Sequence, residues 1–393
     1  MTTLKTAAPK IALPKTADIA VVGGGAYGLS VALWLRRLRP DLSVLLLDRS
    51  DFAGNETGRC GAGFRAQWGA AGNIRLCQES LPSYENFAEE FGYPEGIEFK
   101  QDGYLILAHG EEQLDQLRRN IALQARFGVD SALLTAEEAA RLAPGLNAAG
   151  VVGGSFCARD GSLSPFRVLD GFHRAALRSG VIVRHGVTVD SVEPRNGAFR
   201  LRAGGEAIEA GRVVVATDTR IPQLLGPLGI DIPVQPYPNQ AFVTEPLPPR
   251  LGPCVVSFAH EMFLNQTARG SVVVVASDRR RALGADARPT ADLFPRAAAR
   301  AIDLLPALGT ARLLRSWGGL YSITPDMLAV LGETALPGLF VALSGAKGFM
   351  TAPAAGRLLA HLVDGQAVPD WFARLSPARF AGGEALDREP AII

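Results

Sequence analysis

Gly23, Gly25 and Gly28 stand in Gly-x-Gly-x-x-Gly spacing, and Asp48 follows 20 residues after the last of them. Glycine suits a backbone that turns tightly at Gly23, admits a pyrophosphate at Gly25 and packs a helix close on a strand at Gly28. An acid at that distance can accept hydrogen bonds from an adenosine ribose. The chemistry is recognition of a dinucleotide, its phosphates held at a helix N-terminus by free N–H groups and the positive end of the helix dipole. A glycine-rich structural turn is the competing reading. The spacing alone leaves a flavin and a nicotinamide dinucleotide both open.

The elements that must position these residues are visible around them. Ile19-Ala20-Val21-Val22 has the length and branching of a buried parallel strand, Ala26 to Leu38 the pattern of a helix, and Val44-Leu45-Leu46-Leu47 that of a second buried strand ending on Asp48. Strand, helix, strand and acid make one βαβ unit. A glycine- and polar-rich connection, Asp51 to Arg65, follows, with Arg65 and Trp68 at its exit. Such a loop is either a linker or backbone wrapped closely round a ligand.

Composition bounds the rest. In 393 residues, 48% hydrophobic and 20% charged with a net charge of +1, there is room for two ordinary globular domains and no electrostatic case for nucleic acid or an anionic membrane surface. Cys60, Cys77, Cys157 and Cys254 show neither paired nor metal-binding spacing, and read as reduced core thiols of a cytoplasmic protein. No metal site is expected. No apolar run approaches the ~20 residues of a membrane span.

Further along, Asn73 to Phe91 reads as a helix with an apolar stripe, Gly103 to Ala108 as a strand, and Glu111 to Phe127 as a polar-faced helix. Thr135 with Glu138 forms a capping box, and Ser164-Pro165 opens another helix. Gly211 to Ala216 looks like a strand returning to the sheet that Val21 begins. From Ile221 to about Leu320 strands recur with prolines between them and a helix from Ala291 to Leu305, the texture of a mostly antiparallel domain. Near the C-terminus Gly338 to Leu343, then Ser344-Gly345-Ala346-Lys347-Gly348, then a helix from about Phe349 to Val363 form a second strand–glycine–helix junction.

The expected fold class is α/β plus α+β, a Rossmann-like dinucleotide-binding domain with a discontinuous, mostly antiparallel substrate domain. The expected division is a flexible N-terminal arm over 1–17, the dinucleotide-binding domain over 18–98, 151–220 and 321–380, the substrate domain over 99–150 and 221–320, and a tail over 381–393.

Taken together, the motifs Gly23 to Gly28, Thr57 to Arg65, Gly103-Tyr104-Leu105, Arg315 to Tyr321 with Thr324-Pro325-Asp326, and Gly345 to Met350 with Ala352-Pro353 resemble, in order, those of the D-amino-acid oxidase superfamily of FAD-dependent oxidoreductases. The likeness is nearest to sarcosine oxidase β subunits, opine oxidases and dye-linked proline dehydrogenases, and covers Asp18 to Phe380. It implies FAD, with Asp48 on the adenosine ribose, the Thr57–Arg65 loop along the flavin and the Gly345–Gly348 turn beside the isoalloxazine ring. The cofactor set it implies is Gly23, Gly25, Ala26, Tyr27, Gly28, Asp48, Arg49, Thr57, Gly58, Arg59, Cys60, Gly63, Phe64, Gly319, Gly345, Gly348, Phe349 and Met350. A reduced flavin gathers negative charge that a helix N-terminus and a lysine would stabilise, which makes Lys347 the leading electrostatic candidate. The competing reading is a solvated lysine on a surface turn.

Arg65 aligns with a position that pairs with the substrate carboxylate in related sarcosine oxidases, and a guanidinium fork suits that task. A structural salt bridge or a flavin-loop contact is the alternative. Tyr321 is a candidate hydroxyl donor on the substrate face, or a core aromatic. Relatives that attach flavin covalently use a cysteine where this chain has Gly319, or a histidine near the first glycine loop, and here no histidine precedes His109. Non-covalent FAD is therefore expected. A lysine of some sarcosine oxidases is Met350 here, which weakens the case for an amino-acid carboxylate.

The implied reaction is oxidation of the C–N bond of an amino acid or a secondary or N-methyl amine (sarcosine-, proline-, opine- or D-amino-acid-like), the α-hydrogen passing as hydride to flavin N5. The acceptor would be oxygen or a quinone or dye, and partner subunits are a further expectation. Alternatives are a β-like subunit of a hetero-oligomeric dehydrogenase, a flavin 2-hydroxy-acid dehydrogenase and a non-catalytic assembly flavoprotein.

Overall fold

The computed structural model describes residues 12–277, 283–284, 286–381 and 387–390. Most of the arm expected over 1–17 and most of the tail expected over 381–393 lie outside them. β1 (Thr16–Val22) is buried from Ile19 onward because its β-branched residues have protein on both faces. It feeds α1 (Ala26–Leu38) and then β2 (Val44–Leu47). A 3-10 turn at Glu56–Arg59 and the two-residue β3 (Gly63–Phe64) lead to α2 (Ala71–Glu85) and the single turn α3 (Phe87–Glu90). The sequence pattern predicts one helix over Asn73 to Phe91. Two pieces form instead, because Asn86 leaves helical geometry (φ −106°, ψ 23°) and its amide caps the Pro82 carbonyl at 2.9 Å.

Then come β4 (Tyr104–Ala108), α4 (Glu111–Ala125), β5 (Ser131–Thr135), α5 (Ala136–Leu142), β6 (Gly153–Cys157) and β7 (Gly161–Ser162). The Thr135–Glu138 capping box is present in both directions. α6 (Pro165–Arg178) starts at Ser164, whose hydroxyl accepts from Arg167 N, with proline in the first turn. β8 (Ile182–Arg184), β9 (Val189–Arg195), β10 (Ala198–Ala203), β11 (Glu206–Val215) and α7 (Ile221–Leu225) follow. β12 (Gln235–Pro246), β13 (Cys254–Ser257), β14 (Met262–Gln266), β15 (Ser271–Ala276), α8 (Leu293–Leu304) and β16 (Leu313–Ile323) come next. β17 (Val330–Glu333), β18 (Leu339–Leu343) and α9 (Gly348–Val363) complete the framework.

Two large sheets result. The first runs β17-β18-β11-β1-β2-β8, parallel from β18 through β8, with β9–β10 as a hairpin on β11. Its neighbours thus come from the start, middle and end of the chain. The second runs β16-β12-β15-β14-β13-β4-β6-β5 and, among the described residues, is antiparallel apart from the β4–β13 pair. β6 lies in this second sheet, and β16 runs across residue 320.

α1, α2, α6 and α9 cover one face of the first sheet around Leu29, Leu33, Phe172 and Leu359. The helices α1 and α9 touch closely where Gly356 meets Ser30: a Cβ at Gly356 would lie 2.1 Å from the serine Oγ. One face of the second sheet packs on α8 through Leu264, Val274 and Ala297. Its other face, with Tyr104, Ala241, Val256, Phe263 and Val275, looks into the cleft between the sheets. No helix of the described residues is long and apolar enough to cross a membrane.

Candidate functional site

The floor of the cleft is the carboxyl end of the first sheet, where parallel strands leave helix N-termini pointing at one place. Gly23 adopts φ +112°, and a Cβ there would lie 2.3 Å from Ala216 O. A Cβ on Gly28 would strike Gly23 O at 1.8 Å, so the helix sits on the turn only because both are glycine. Gly25 is different: its added Cβ meets only Thr57 Oγ1, at 3.4 Å, and otherwise faces the cleft. The N-cap position of α1, Gly25, has no side chain to cap it, and no acid occupies its first turn. Ala26 N donates to Thr57 Oγ1 (3.2 Å) and Gly24 N to Asp48 Oδ2 (2.5 Å).

Asp48 is buried, and its other oxygen accepts from Ser50 N at 2.7 Å and Asn55 Nδ2 at 3.4 Å. Backbone and amide donors hold that carboxylate in one orientation at the end of β2. Arg49 and the Thr57–Cys60 turn line the cleft, as does Thr217, whose Oγ1 is buried and without a partner among the described residues. A glycine helix start free of acids, a fixed carboxylate and an orphaned hydroxyl in one trough fit a dinucleotide.

The other end is built by β18 and α9. Gly345 turns the chain at φ +58°, where a Cβ would lie 2.4 Å from Leu328 O. Asp218 Oδ1 receives Ser344 N (3.2 Å) and Ser344 Oγ (3.1 Å), and Ala346 N donates to Ser322 Oγ (3.1 Å). α9 also starts without a side-chain cap or an acid in its first turn. Two helix starts without acids in their first turns therefore border one cleft, linked by Tyr27 OH and Thr351 Oγ1 at 2.7 Å.

Lys347 is 3% exposed, which sets aside a solvated surface lysine. Its Nζ donates to Met327 O (2.7 Å) and Gly345 O (3.0 Å) and lies 4.9 Å from the Trp68 ring centroid. Burial pulls its pKa down to about 8, opposed by Glu389 and aided by Arg65. Glu389 is itself buried: its carboxylate accepts from Gly69 N (2.8 Å), Ala70 N (3.1 Å) and Asn73 Nδ2 (2.9 Å), so the chain end clasps the start of α2.

Between the two ends stands Arg65, 5% exposed. Its guanidinium lies 3.8 Å over the Trp68 ring and 5.5 Å over Tyr104, and makes no hydrogen bond or ion pair among the described residues; Nε is a buried orphan. Trp68 is fixed by its own Nε1 donating to Arg65 O at 2.9 Å. Asp160, fully buried nearby, is taken up by Ala66 N (2.7 Å) and Gln67 Nε2 (3.0 Å), and burial lifts its pKa to about 6. Burial pushes Tyr321 up to about 12, so it is a neutral hydroxyl. Glu56, raised by burial, accepts from Leu320 N at 2.5 Å and ties the 3-10 turn to β16 beside Gly319.

One cleft therefore gathers Gly23, Gly25, Ala26, Tyr27, Asp48, Arg49, Thr57, Gly58, Arg59, Cys60, Gly63, Arg65, Gly319, Tyr321, Lys347, Gly348, Phe349 and Met350. Gly28, Phe64 and Gly345 stand behind its wall. Gly28 and Gly345 shape turns, while Phe64 points away from Gly63 into an aromatic cluster with Tyr84 and Phe99, as alternation along β3 requires. Thr217, Asp218 and Asn239 line the cleft too and escape sequence reasoning. Thr217 and Asp218 had a signal, since they follow β11 at the carboxyl end of a parallel strand. Asn239, in the middle of a β12 segment rich in prolines, had none.

A family model described as FAD dependent oxidoreductase (DAO) matches residues 18–362. The chain is 28% identical over 386 residues to the beta subunit of sarcosine oxidase from Arthrobacter sp, covering 96% of this chain and 94% of that protein. It is 25% identical to an opine oxidase subunit of Agrobacterium tumefaciens (strain Ach5), over 94% of this chain and 99% of that one. Among solved structures, L-proline dehydrogenase from P. horikoshii superimposes with a TM-score of 0.85 at 29% identity, covering 95% of this chain and 100% of the other.

Proposed function

The chain belongs to the FAD dependent oxidoreductase family, and from that premise we propose that it oxidises the C–N bond of a carboxylate-bearing amine: an amino acid or a secondary or N-methyl amine of the sarcosine, proline, opine or D-amino-acid kind. The observation that carries this reading is Arg65, a buried cation in the cleft wall with no ion pair among the described residues. A buried guanidinium without a paired anion is unfavourable, and a substrate carboxylate would satisfy it through two parallel bonds.

Bound FAD supplies the two-electron chemistry. Gly25 and the start of α1 would hold its phosphates, Asp48 its ribose, and the Thr57–Cys60 turn with Gly348 and Phe349 its ring end. Lys347 and the start of α9 would keep positive potential beside that end. Arg65 would orient the substrate, with the Tyr321 hydroxyl as a neutral donor at its side. The apolar face formed by Val256, Phe263 and Val275 would exclude water from the reacting carbon.

Anaerobic mixing of the holoprotein with amino acids, N-methyl amino acids and opines should bleach the flavin, and 2-hydroxy acids should not. Bleaching by hydroxy acids alone would sink the reading. FAD is held without a covalent bond, since Gly319 presents no side chain to it; acid precipitation should leave the yellow colour in the supernatant. Unpaired thiols at the four cysteines accord with a cytoplasmic setting.

A second reading, as the β-like subunit of a larger assembly, draws on two relatives named as subunits and on β16, an edge strand whose Leu313 and Leu314 are 42% and 64% exposed. Copurification of companion chains from the native host would support it.

A further inference from the structure

We propose that Asn239 is a specificity-determining residue of this cleft, and that the substrate carries, beyond the carboxylate assigned to Arg65, a second hydrogen-bond-accepting oxygen that the Asn239 amide binds. The inference rests on the amine reading above and narrows its substrate class to oxygen-bearing side chains or N-substituents.

Asn239 lies in β12, directly opposite Gly319 of β16. It is 4% exposed and lines the cleft, two residues from Ala241 and on the same strand face. Its two amide atoms have different fates. Oδ1 accepts from Ser277 Oγ at 2.8 Å, which sets the orientation of the amide, while Nδ2 is buried with no partner among the described residues. A buried donor left unpaired is unfavourable, and one that faces a ligand cleft is completed when a ligand brings an acceptor to it.

Apart from the hydroxyls of Tyr104 and Tyr321, the rest of that cleft face is apolar. Continuing across the sheet from Ala241, the cleft meets Val275, Phe263 and Val256 in register, all apolar. A purely apolar side chain would satisfy those residues and leave the amide bare. One bearing a carbonyl, carboxyl or hydroxyl oxygen satisfies both. Sites built around a buried donor reject the analogue lacking its acceptor far more strongly than apolar pockets reject a changed methyl.

The test uses ligand pairs of matching shape: one oxygen stands for one methyl in levulinate and in threonine, and the carboxamide oxygen and nitrogen stand for both methyls in asparagine. Levulinate and 4-methylpentanoate, which cannot be oxidised, are titrated into the holoprotein and their Kd read from the perturbed flavin spectrum. Both enantiomers of asparagine against leucine and of threonine against valine are compared by the rate of anaerobic flavin bleaching. Wild type should favour the oxygen-bearing member at least tenfold in binding and in bleaching, and Asn239→Leu, of matching shape, should erase or reverse that preference.

Equal treatment of each pair by wild type overturns the proposal. So does an Asn239→Leu protein whose preference is intact but whose ligand-free flavin spectrum or FAD affinity has shifted, since the amide would then serve the cofactor. Failure of every amine and opine to bleach the flavin overturns the amine reading itself and this inference with it, a different result from bleaching without discrimination.

Discussion

Arg65 and Lys347 both lie against Trp68, 3.8 and 4.9 Å from its ring, and each is a buried cation for which the fold provides incomplete compensation. They differ in what compensates. Lys347 donates to two carbonyls, whereas Arg65 has only aromatic faces. Arg65→Lys keeps the charge but removes the planar fork, and should lower kcat/KM for a carboxylate-bearing amine about 100-fold, equivalent to roughly 3 kcal/mol; steady-state kinetics with the bleaching substrate measure it.

Lys347 gives a pH prediction. Its folded pKa of about 8 lies below the unfolded 10.5, so between those values the unfolded chain binds a proton that the folded chain does not. The contribution of Lys347 to apoprotein stability should therefore rise with pH across 8 to 10.5, and below 8 the ammonium carries its full burial penalty of about 3 kcal/mol. Above pH 9 the four buried thiols, pushed up to about 12, act in the opposite sense, so the lysine is read by difference. Lys347→Met should raise the thermal midpoint at pH 7, and its advantage over wild type should shrink across pH 8 to 10.5 in a series of unfolding curves, while flavin reduction slows. A difference between wild type and Lys347→Met that does not change with pH across that window would show the lysine to be solvated in the folded chain.

At the scale of elements, the site is an arrangement of helix starts. α1 and α9 leave their first turns open toward the cleft, but α2 is treated differently: its start is closed by Glu389 and Asp387, the latter accepting from Ala71 N at 3.2 Å. Because Trp68 immediately precedes Gly69, whatever holds Gly69 also holds the ring under both cations. Glu389→Ala should cost about 1–3 kcal/mol, an N-cap loss combined with buried donors left unpaired. Chemical denaturation checks the size, and faster proteolysis near residue 69 checks the place.

This scale also shows what sequence reading reaches. Gly23 and Gly28 are legible because a clash of about 2 Å leaves a single residue type, and the Ser164 and Thr135 caps because they are satisfied within a few residues. The break at Asn86 is not, since an apolar stripe continues through it from Tyr84 to Phe87 and Phe91. Glu389 and Asn239 are illegible for a further reason. Their partners, Gly69 and Ser277, are remote in the chain, and nothing local marks an acid or an amide as buried.

For the whole molecule, the cleft is the seam between two sheets, each assembled from separated stretches of chain. Residues 18–362 matching one family model accord with a unit that cannot be divided at a single point. A ligand spanning that seam should stabilise both sides together. FAD at a hundredfold excess over its Kd should add about 2.7 kcal/mol to the unfolding free energy. Calorimetry should then show both sheets melting in one sharpened transition; a first-sheet transition that moves alone would place the cofactor away from the second sheet.

The strand order has a consequence for how the molecule is made. β1 leaves the ribosome early, yet its neighbour β11 begins at Glu206 and the turn bearing Lys347 lies beyond β18. At ~5–20 residues per second β1 waits roughly 10 to 40 s for that neighbour. Through most of translation the nascent chain holds a completed glycine turn beside an incomplete sheet with one bare apolar edge. Cofactor loading is thus a late event, falling after synthesis of the polypeptide is nearly finished, and a cell short of FAD would accumulate full-length chains rather than arrested fragments.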